Sequence, residues 1–517
     1  MVTYMSRPRR KPHQLLAESL KTAKAVAADS IVKADQISRA HKNRLETSGC
    51  LTKIISGWYL LTSPDGGDGS TAWYGGFWAF LKHYLNDRFG ETEYCISAES
   101  SLSLHAGDTT IPKQIVILTK KDSNTAVDLL HGTSILLRTD SKNFPTETES
   151  FKGVPIMNLT SSLSRLSPSY FENNPRNIEI VLKLSSLSVP EISRALLRLQ
   201  NMASAERIIG AYTVIKEESK GKQIFDDLTA AGYTLTPVNP FEKYVPKLSG
   251  ARFNSPYAGR IRLMWSVMRE VVIKTFPRDC GLFSDQSKTI EIILETYVKD
   301  AYHSLSIEGY HVTEELIEKI ADGKWDPDSL GADKLQMDAM AAKGYSNSFD
   351  AVVESIRKIL RGSSPGAVLE ADLQTWYREL FTPLFKANII DQEKLVGFRN
   401  NQVYITNSKH VPPPKTALLD CMEVFFELLK SEPVASVRAV LGHFIFVYIH
   451  PYMDGNGRMG RFILNLMLIS GGFNWTIVRV ERRKEYMSAL EAASTKEDIE
   501  PFTTFLLEEM NHWKNKS

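Results

Sequence analysis

The sequence predicts a multi-domain chain whose C-terminal half is all-α and whose N-terminal half mixes short strands with helices. Three observations carry this. Residues 436–450 and 459–470 are long apolar runs with helical spacing, residues 51–61 read as a hairpin turning at Ser56 and Gly57, and the proline-rich stretches 237–241 and 246–250 read as a linker between the halves. With 517 residues, 43% hydrophobic and 24% charged, the composition is that of an ordinary soluble chain with room for about three domains.

The N-terminal end comes first. Residues 1–60 carry eleven Lys or Arg against four acids, a net +7 when the whole chain is only +2. A basic end suits phosphate backbones, and Arg7, Arg9, Arg10 and Lys11 open it. Residues 34–40 and 42–49 read as two short helices before the 51–61 hairpin, which is the winged helix order. Residues 94–105 and 111–118 follow. They resemble the antitoxins of the abortive-infection type, which join a winged helix to a small α/β domain, a likeness running to about residue 245. His105 and His131 stand alone and suggest no second active site. Cys50, Cys95, Cys280 and Cys421 have no metal spacing and read as buried thiols of a reducing, cytoplasmic compartment. No run of eighteen apolar residues implies a membrane span.

The chemistry concentrates in residues 450–461. Pro451 stops the first apolar helix just after His450, so the imidazole sits at a helix end beside a loop. The second helix begins directly after Asp454, Gly455, Asn456 and Gly457, and its first turn offers unpaired N–H groups to an anion that glycines let approach. Arg458 and Arg461, spaced i, i+3, share a face and can clamp two phosphates of one nucleotide. Asp454 can then hold magnesium, which needs one or two carboxylates when phosphate oxygens supply the rest. His450 is left to take a proton from an attacking hydroxyl near neutral pH.

Residues 450–461 resemble the signature of the Fic family, H-x-F-x-[D/E]-G-N-G-R-x-x-R, with Tyr452 in place of the aromatic Phe. Flanking segments agree over roughly residues 285–500. Residues 397–405 and the prolines of 411–414 resemble the family's β-hairpin flap and the start of its next helix, and residues 483–490 resemble its closing helix. The resemblance implies transfer of AMP from ATP to a Ser, Thr or Tyr hydroxyl of a protein, with ATP and Mg2+ as cofactors. His450 would be the general base, Asp454 the metal ligand, Gly455, Asn456 and Gly457 the phosphate turn, and Arg458 and Arg461 the β- and γ-phosphate holders. The family's phosphotransferase branch has Lys where Gly457 stands, so the glycine favours nucleotidyl transfer.

Ser304, Glu308 and Gly309 match the family's inhibitory pattern [S/T]-x-x-x-E-[G/N], after an amphipathic helix over 289–302. A Glu308 carboxylate on Arg461 would take the place of the γ-phosphate. The same carboxylate could position water for the reverse reaction, removal of AMP. Val403, Tyr404 and Ile405 alternate as a strand does and are expected to pair with an extended target segment. The resulting organisation is a basic winged helix over 1–75, an α/β domain over 76–245, a helical segment with the inhibitory motif over 251–345 and the Fic core over 346–517. The expected partners are a protein target, DNA at the winged helix, and a second copy of the chain, with no membrane. The competing reading is a DNA-binding regulator or antitoxin-like protein that uses its Fic domain as a nucleotide sensor.

Overall fold

A computed structural model describes residues 11–64, 69–121, 124–142, 144–241, 243–248, 253–283, 285–324 and 333–514, without the side chains of 333–336. Arg7, Arg9, Arg10, the end of the linker at 249–250 and the 325–328 part of the loop after Gly323 lie outside the described residues. The chain divides into two compact units, Met1–Asn254 with Tyr404–Val411, and Ser255–Val403 with Pro412–Ser517.

The first unit begins with α1 (Pro12–Val26), β1 (Ile31–Lys33), α2 (Arg39–Thr47), β2 (Leu51–Ile55) and β3 (Trp58–Leu61), and its three strands pair in the order β1-β3-β2. Ser38 caps α2 by accepting from the His41 N–H, and Gly57, at φ 85°, makes the turn between β2 and β3. The helix expected over 34–40 is a correction. Only a single 3-10 turn, Ala34–Gln36, forms there, because the chain extends again at Ile37 to present the Ser38 cap.

There follow α3 (Ser70–Phe89), β4 (Tyr94–Ile96), α4 (Ala98–His105), β5 (Gln114–Thr119), β6 (Thr125–Asp128), β7 (Ser134–Thr139), β8 (Thr148–Phe151) and β9 (Val154–Met157). These strands form a mixed sheet of order β6-β7-β5-β4-β9-β8, parallel at β5–β7 and β4–β9. Helix α3 is buried on both sides: Trp73, Phe77, Phe80 and Leu81 share one core with Leu60 of β3 and with Ile96, Ile117 and Leu137 of the larger sheet. The unit ends in six helices, α5 (Leu159–Leu163), α6 (Pro168–Asn173), α7 (Pro175–Leu182), α8 (Val189–Leu199), α9 (Met202–Val214) and α10 (Glu218–Ala230).

The second unit is helical: α11 (Pro256–Thr275), α12 (Gln286–Ile307), α13 (Glu314–Ala321), α14 (Asp333–Leu360), α15 (Pro365–Lys386), α16 (Leu418–Ser431), α17 (Ala435–Ile449), α18 (Asn456–Ile469), α19 (Arg483–Lys496) and α20 (Glu500–Lys514). Helices α17 and α18 are buried on nearly every face, as helices apolar all round must be. The start of α17 is satisfied from a distance, since the Asp279 carboxylate accepts from the Ala435 N–H at 2.7 Å and the Ser436 N–H at 3.3 Å.

The structure overturns four further expectations. No strand forms over 397–414, so the flap is not a β-hairpin. Its carbonyls are taken by side chains instead: Arg399 donates to Asn401 and Pro413, and the Gln402 amide to Pro412 at 2.9 Å, leaving no ladder to build. Helix α3 runs through 75/76 and α14 through 345/346, so neither boundary is a break in the fold. Cys280 is exposed, while Cys50, Cys95 and Cys421 are buried, and all four are free thiols. None of the described helices is long and apolar enough to cross a membrane.

Candidate active site

Helix α17 ends at His450 in the left-handed region, φ 54° and ψ 60°, with its N–H on the Phe446 carbonyl at 2.9 Å. The ring's Nδ1 lies 3.2 Å from the Val447 carbonyl. A carbonyl only accepts, so Nδ1 carries the proton and Nε2 keeps its lone pair. Burial pushes this histidine down to about 4, with the Arg399 charge adding to the effect, against the Val447 hydrogen bond and the Glu308 and Asp454 carboxylates. At neutral pH the ring is therefore neutral and able to accept a proton.

The loop that follows is closed by Asn456. Its Oδ1 accepts from the Tyr452 N–H at 3.0 Å while its Nδ2 donates to the Tyr452 carbonyl at 2.9 Å. Tyr452 itself is buried, stacked on Tyr377 with ring centroids 3.7 Å apart, and its hydroxyl reaches Gln374 Oε1 at 3.4 Å, which accommodates the change from Phe. Gly455 caps α18 at φ 81°, and a Cβ there would come within 2.8 Å of Phe381. The first helical bond is from the Met459 N–H to the Gly455 carbonyl at 3.0 Å, so the N–H groups of Asn456, Gly457 and Arg458 precede any intrahelical acceptor.

Arg458 is fully buried between Tyr310 and Phe381, its guanidinium 5.2 and 5.1 Å from their ring centroids. Nη2 lies 3.3 Å from Asp454 Oδ2, while Nε and Nη1 have no acceptor. Arg461 is held from α12: Nε donates to Ser304 Oγ at 2.9 Å, and Nη2 to the Ser304 carbonyl at 3.0 Å and to Glu308 Oε1 at 2.7 Å, leaving Nη1 without an acceptor. Burial pushes the Glu308 carboxyl up, but Arg461 and Arg458 outweigh it and hold the group below its ordinary range. Burial likewise works against the Arg461 charge, and the Glu308 carboxylate reverses that, holding the guanidinium above its usual value. Glu308 also lies over the start of α18, because a Cβ at Gly457 would fall 2.2 Å from its Oε1.

Asp454 is largely exposed, with Oδ1 on the Gly455 N–H at 2.6 Å. Among the described residues no three His, Cys, Asp or Glu gather as metal ligands, so any ion here must take most of its oxygens from substrate and water. The structure thus brings Ser304, Glu308, Asp454, Gly457, Arg458 and Arg461 together. It does not bring Val403, Tyr404 and Ile405 into a strand; Tyr404 instead packs on Gly75 in the N-terminal unit. The sequence reading missed Phe381 and Tyr310, which sandwich Arg458, and Arg399, which binds the end of α17. Only Tyr310 had a signal, its place directly after Gly309.

Residues 367–468 match the Fic/DOC family. This segment is a Fic domain. A protein adenylyltransferase Fic from Nematostella vectensis is 30% identical over 230 residues, covering 41% of this chain and 47% of the relative. The protein of that name from Drosophila erecta is 29% identical over 220 residues, 41% of this chain and 40% of the relative. The chain therefore spans less than half the length of these curated relatives. Among solved structures, a Fic-1 fragment from C. elegans aligns over 67% of this chain and 94% of its own at 17% identity and a TM-score of 0.37, a likeness too slight to add weight.

Proposed function

We propose that the Fic domain transfers AMP from ATP to a hydroxyl side chain of a protein, and that Glu308 restrains it. One observation carries the reading: three buried guanidinium donors on the first two turns of α18, Nε and Nη1 of Arg458 and Nη1 of Arg461, have no hydrogen-bond acceptor. Buried donors left unsatisfied are costly, and a polyphosphate would satisfy them. On this reading His450 Nε2 takes the proton of the attacking hydroxyl, whose oxygen bonds to the α-phosphorus as the bond to the β-phosphate breaks and pyrophosphate leaves. The first turn of α18 and both arginines hold the phosphates. Asp454, exposed at the mouth, would hold Mg2+, whose part is to neutralise phosphate charge. Glu308 competes for Arg461 and for the space above Gly457, so ATP with its γ-phosphate correctly seated and the carboxylate exclude one another.

Incubation with labelled ATP and magnesium tests this. Glu308→Gly should raise ATP affinity and self-labelling together, by about fivefold to 150-fold, the usual span of coupling between sites. No labelling and no ATP binding by that variant would overturn the transferase reading; labelling equal to the parent's would overturn the restraint.

For residues 12–61 we infer a winged helix, on the order α1, β1, turn, α2, β2, β3 and the sheet order β1-β3-β2. Arg39 and Lys53 are exposed, and Lys42 is partly so. Arg44 is not available, since its guanidinium donates to Ser19 and to the Leu15 carbonyl. DNA contact would then fall on Arg39, Lys42 and Lys53. It is testable by salt-dependent binding to duplex DNA with those three exchanged for Ala.

A further inference from the structure

We propose that Arg399 is a positioning residue for His450, holding the end of α17 so that the histidine ring presents Nε2 to the substrate. The proposal rests on the reading of His450 as base. A non-glycine residue in the left-handed region, as His450 is at φ 54°, is strained, and such residues persist where the surroundings fix them. What fixes His450 is one arginine. Arg399 is 5% exposed. Its Nε donates to the His450 carbonyl at 2.8 Å, its Nη2 to the Ile449 carbonyl at 3.5 Å, and its own backbone N–H to the Pro451 carbonyl at 2.8 Å. Three consecutive carbonyls, on both sides of the strained residue, thus end on a single side chain and its backbone.

The remaining donors anchor the clamp to the preceding loop. Nη1 reaches the Asn401 carbonyl at 2.9 Å and Nη2 the Pro413 carbonyl at 2.5 Å. These acceptors are all neutral, and burial holds the guanidinium down to about 10, so the site bears the cost of an arginine that no carboxylate offsets. A helix C-terminus is where a cation is best placed to recover part of that cost. The functional link is the Val447 carbonyl. It takes the ring's Nδ1–H at 3.2 Å only while the last turn of α17 keeps its shape, and that bond decides which nitrogen is the base. The charges that reach the ring are Arg399, Glu308 and Asp454.

Arg399→Met and Arg399→Lys, each in the Glu308→Gly protein, test the assignment. At saturating ATP, Arg399→Met should lower kcat by about tenfold to a hundredfold, as a misplacement of about 1 Å does, with KM for ATP little changed, and Arg399→Lys should recover part of the loss. Parallel loss of kcat, ATP affinity and melting temperature, or equal loss in the two variants, would make Arg399 merely structural and overturn the proposal. Should Arg399→Met fail to fold, 15N NMR of the His450 ring in Arg399→Lys decides: a reduced share of the Nδ1–H tautomer supports positioning, and an unchanged ring overturns it. The NMR measurement needs no turnover. If the Glu308→Gly protein labels nothing, the function reading has failed while the clamp is still decided by the ring.

Discussion

At the end of α17 the carbonyls of Val447, Ile449, His450 and Pro451 all have donors, whereas in the first two turns of α18 three buried guanidinium donors have no acceptor. The same loop joins the two ends. One is complete in the protein alone and holds a neutral imidazole in a fixed tautomer; the other is incomplete until an anion arrives. On the proposed function, the contrast separates what this site must keep rigid, the direction of a lone pair, from what it must leave unsatisfied, the donors that would bind phosphate. Glu308 belongs to the second end, as an internal anion that satisfies Arg461 in part and leaves Arg458 to Asp454 and two aromatic faces.

The largest effect should come from removing the base while sparing the phosphate end. His450→Ala should lower transfer by about a hundredfold to ten-thousandfold with ATP binding retained, read by labelling and by titration. Undiminished labelling would show that the ordered end is not where the chemistry lies. The pH profile sharpens the same point. The folded value of His450 is lowered from 6.5 to about 4, so the unprotonated base persists as pH falls through 6 and is lost only below about 4. Transfer at saturating ATP should be flat from about pH 8 to 6 and fall about tenfold per unit only below the folded value; a limb near 6.5 would show the ring to be less buried than it stands.

A smaller effect is expected where the two ends compete for space. Gly457→Ala should push the Glu308 carboxylate off Arg461, raising self-labelling by about fivefold or less, since the same methyl crowds the phosphate turn. No gain at all would place Glu308 where it can yield without leaving the arginine. Smallest is Tyr452→Phe. The hydroxyl's 3.4 Å contact with Gln374 is long, so the loss should be about 0.5 kcal/mol of stability, read by denaturant midpoint, with unchanged transfer.

How much of this was legible depends on where each group's partners sit in the chain. Asp454, Gly455 and Arg458 interact within four residues, so a twelve-residue string discloses their arrangement. The Glu308–Arg461 pair spans 153 residues and was readable only because its short pattern recurs as a unit in the resembling family. Arg399 left no such trace. Its acceptors are backbone carbonyls, which every residue type carries, so no partner residue marks the bond in the sequence. The flap failed for a related reason. Val403 and Ile405 have the alternation of a strand, but periodicity does not register that Arg399 and Gln402 take up the carbonyls a hairpin would need. At the N-terminal end the Gly57 turn was visible, whereas residues 34–40 were over-read as a helix because Ser38 reads equally well as a cap.

The ending of α12 has a consequence for how quickly the site can change state. Gly309, at φ 90°, donates to the Ser306 carbonyl at 3.1 Å and Tyr310 to the Leu305 carbonyl at 3.2 Å, the paired bonds of a Schellman cap. Glu308 is the residue this cap encloses, while Ser304, a full turn earlier, keeps its own two bonds to Arg461. Fraying of one helical turn therefore carries the carboxylate away and leaves the guanidinium aimed. Such openings need no movement of whole helices and, as local unfolding, run on the microsecond-to-second scale. If Glu308 restrains the site as proposed, occupancy of that state is set by the stability of one turn, and amide exchange at Gly309 and Tyr310 would report it.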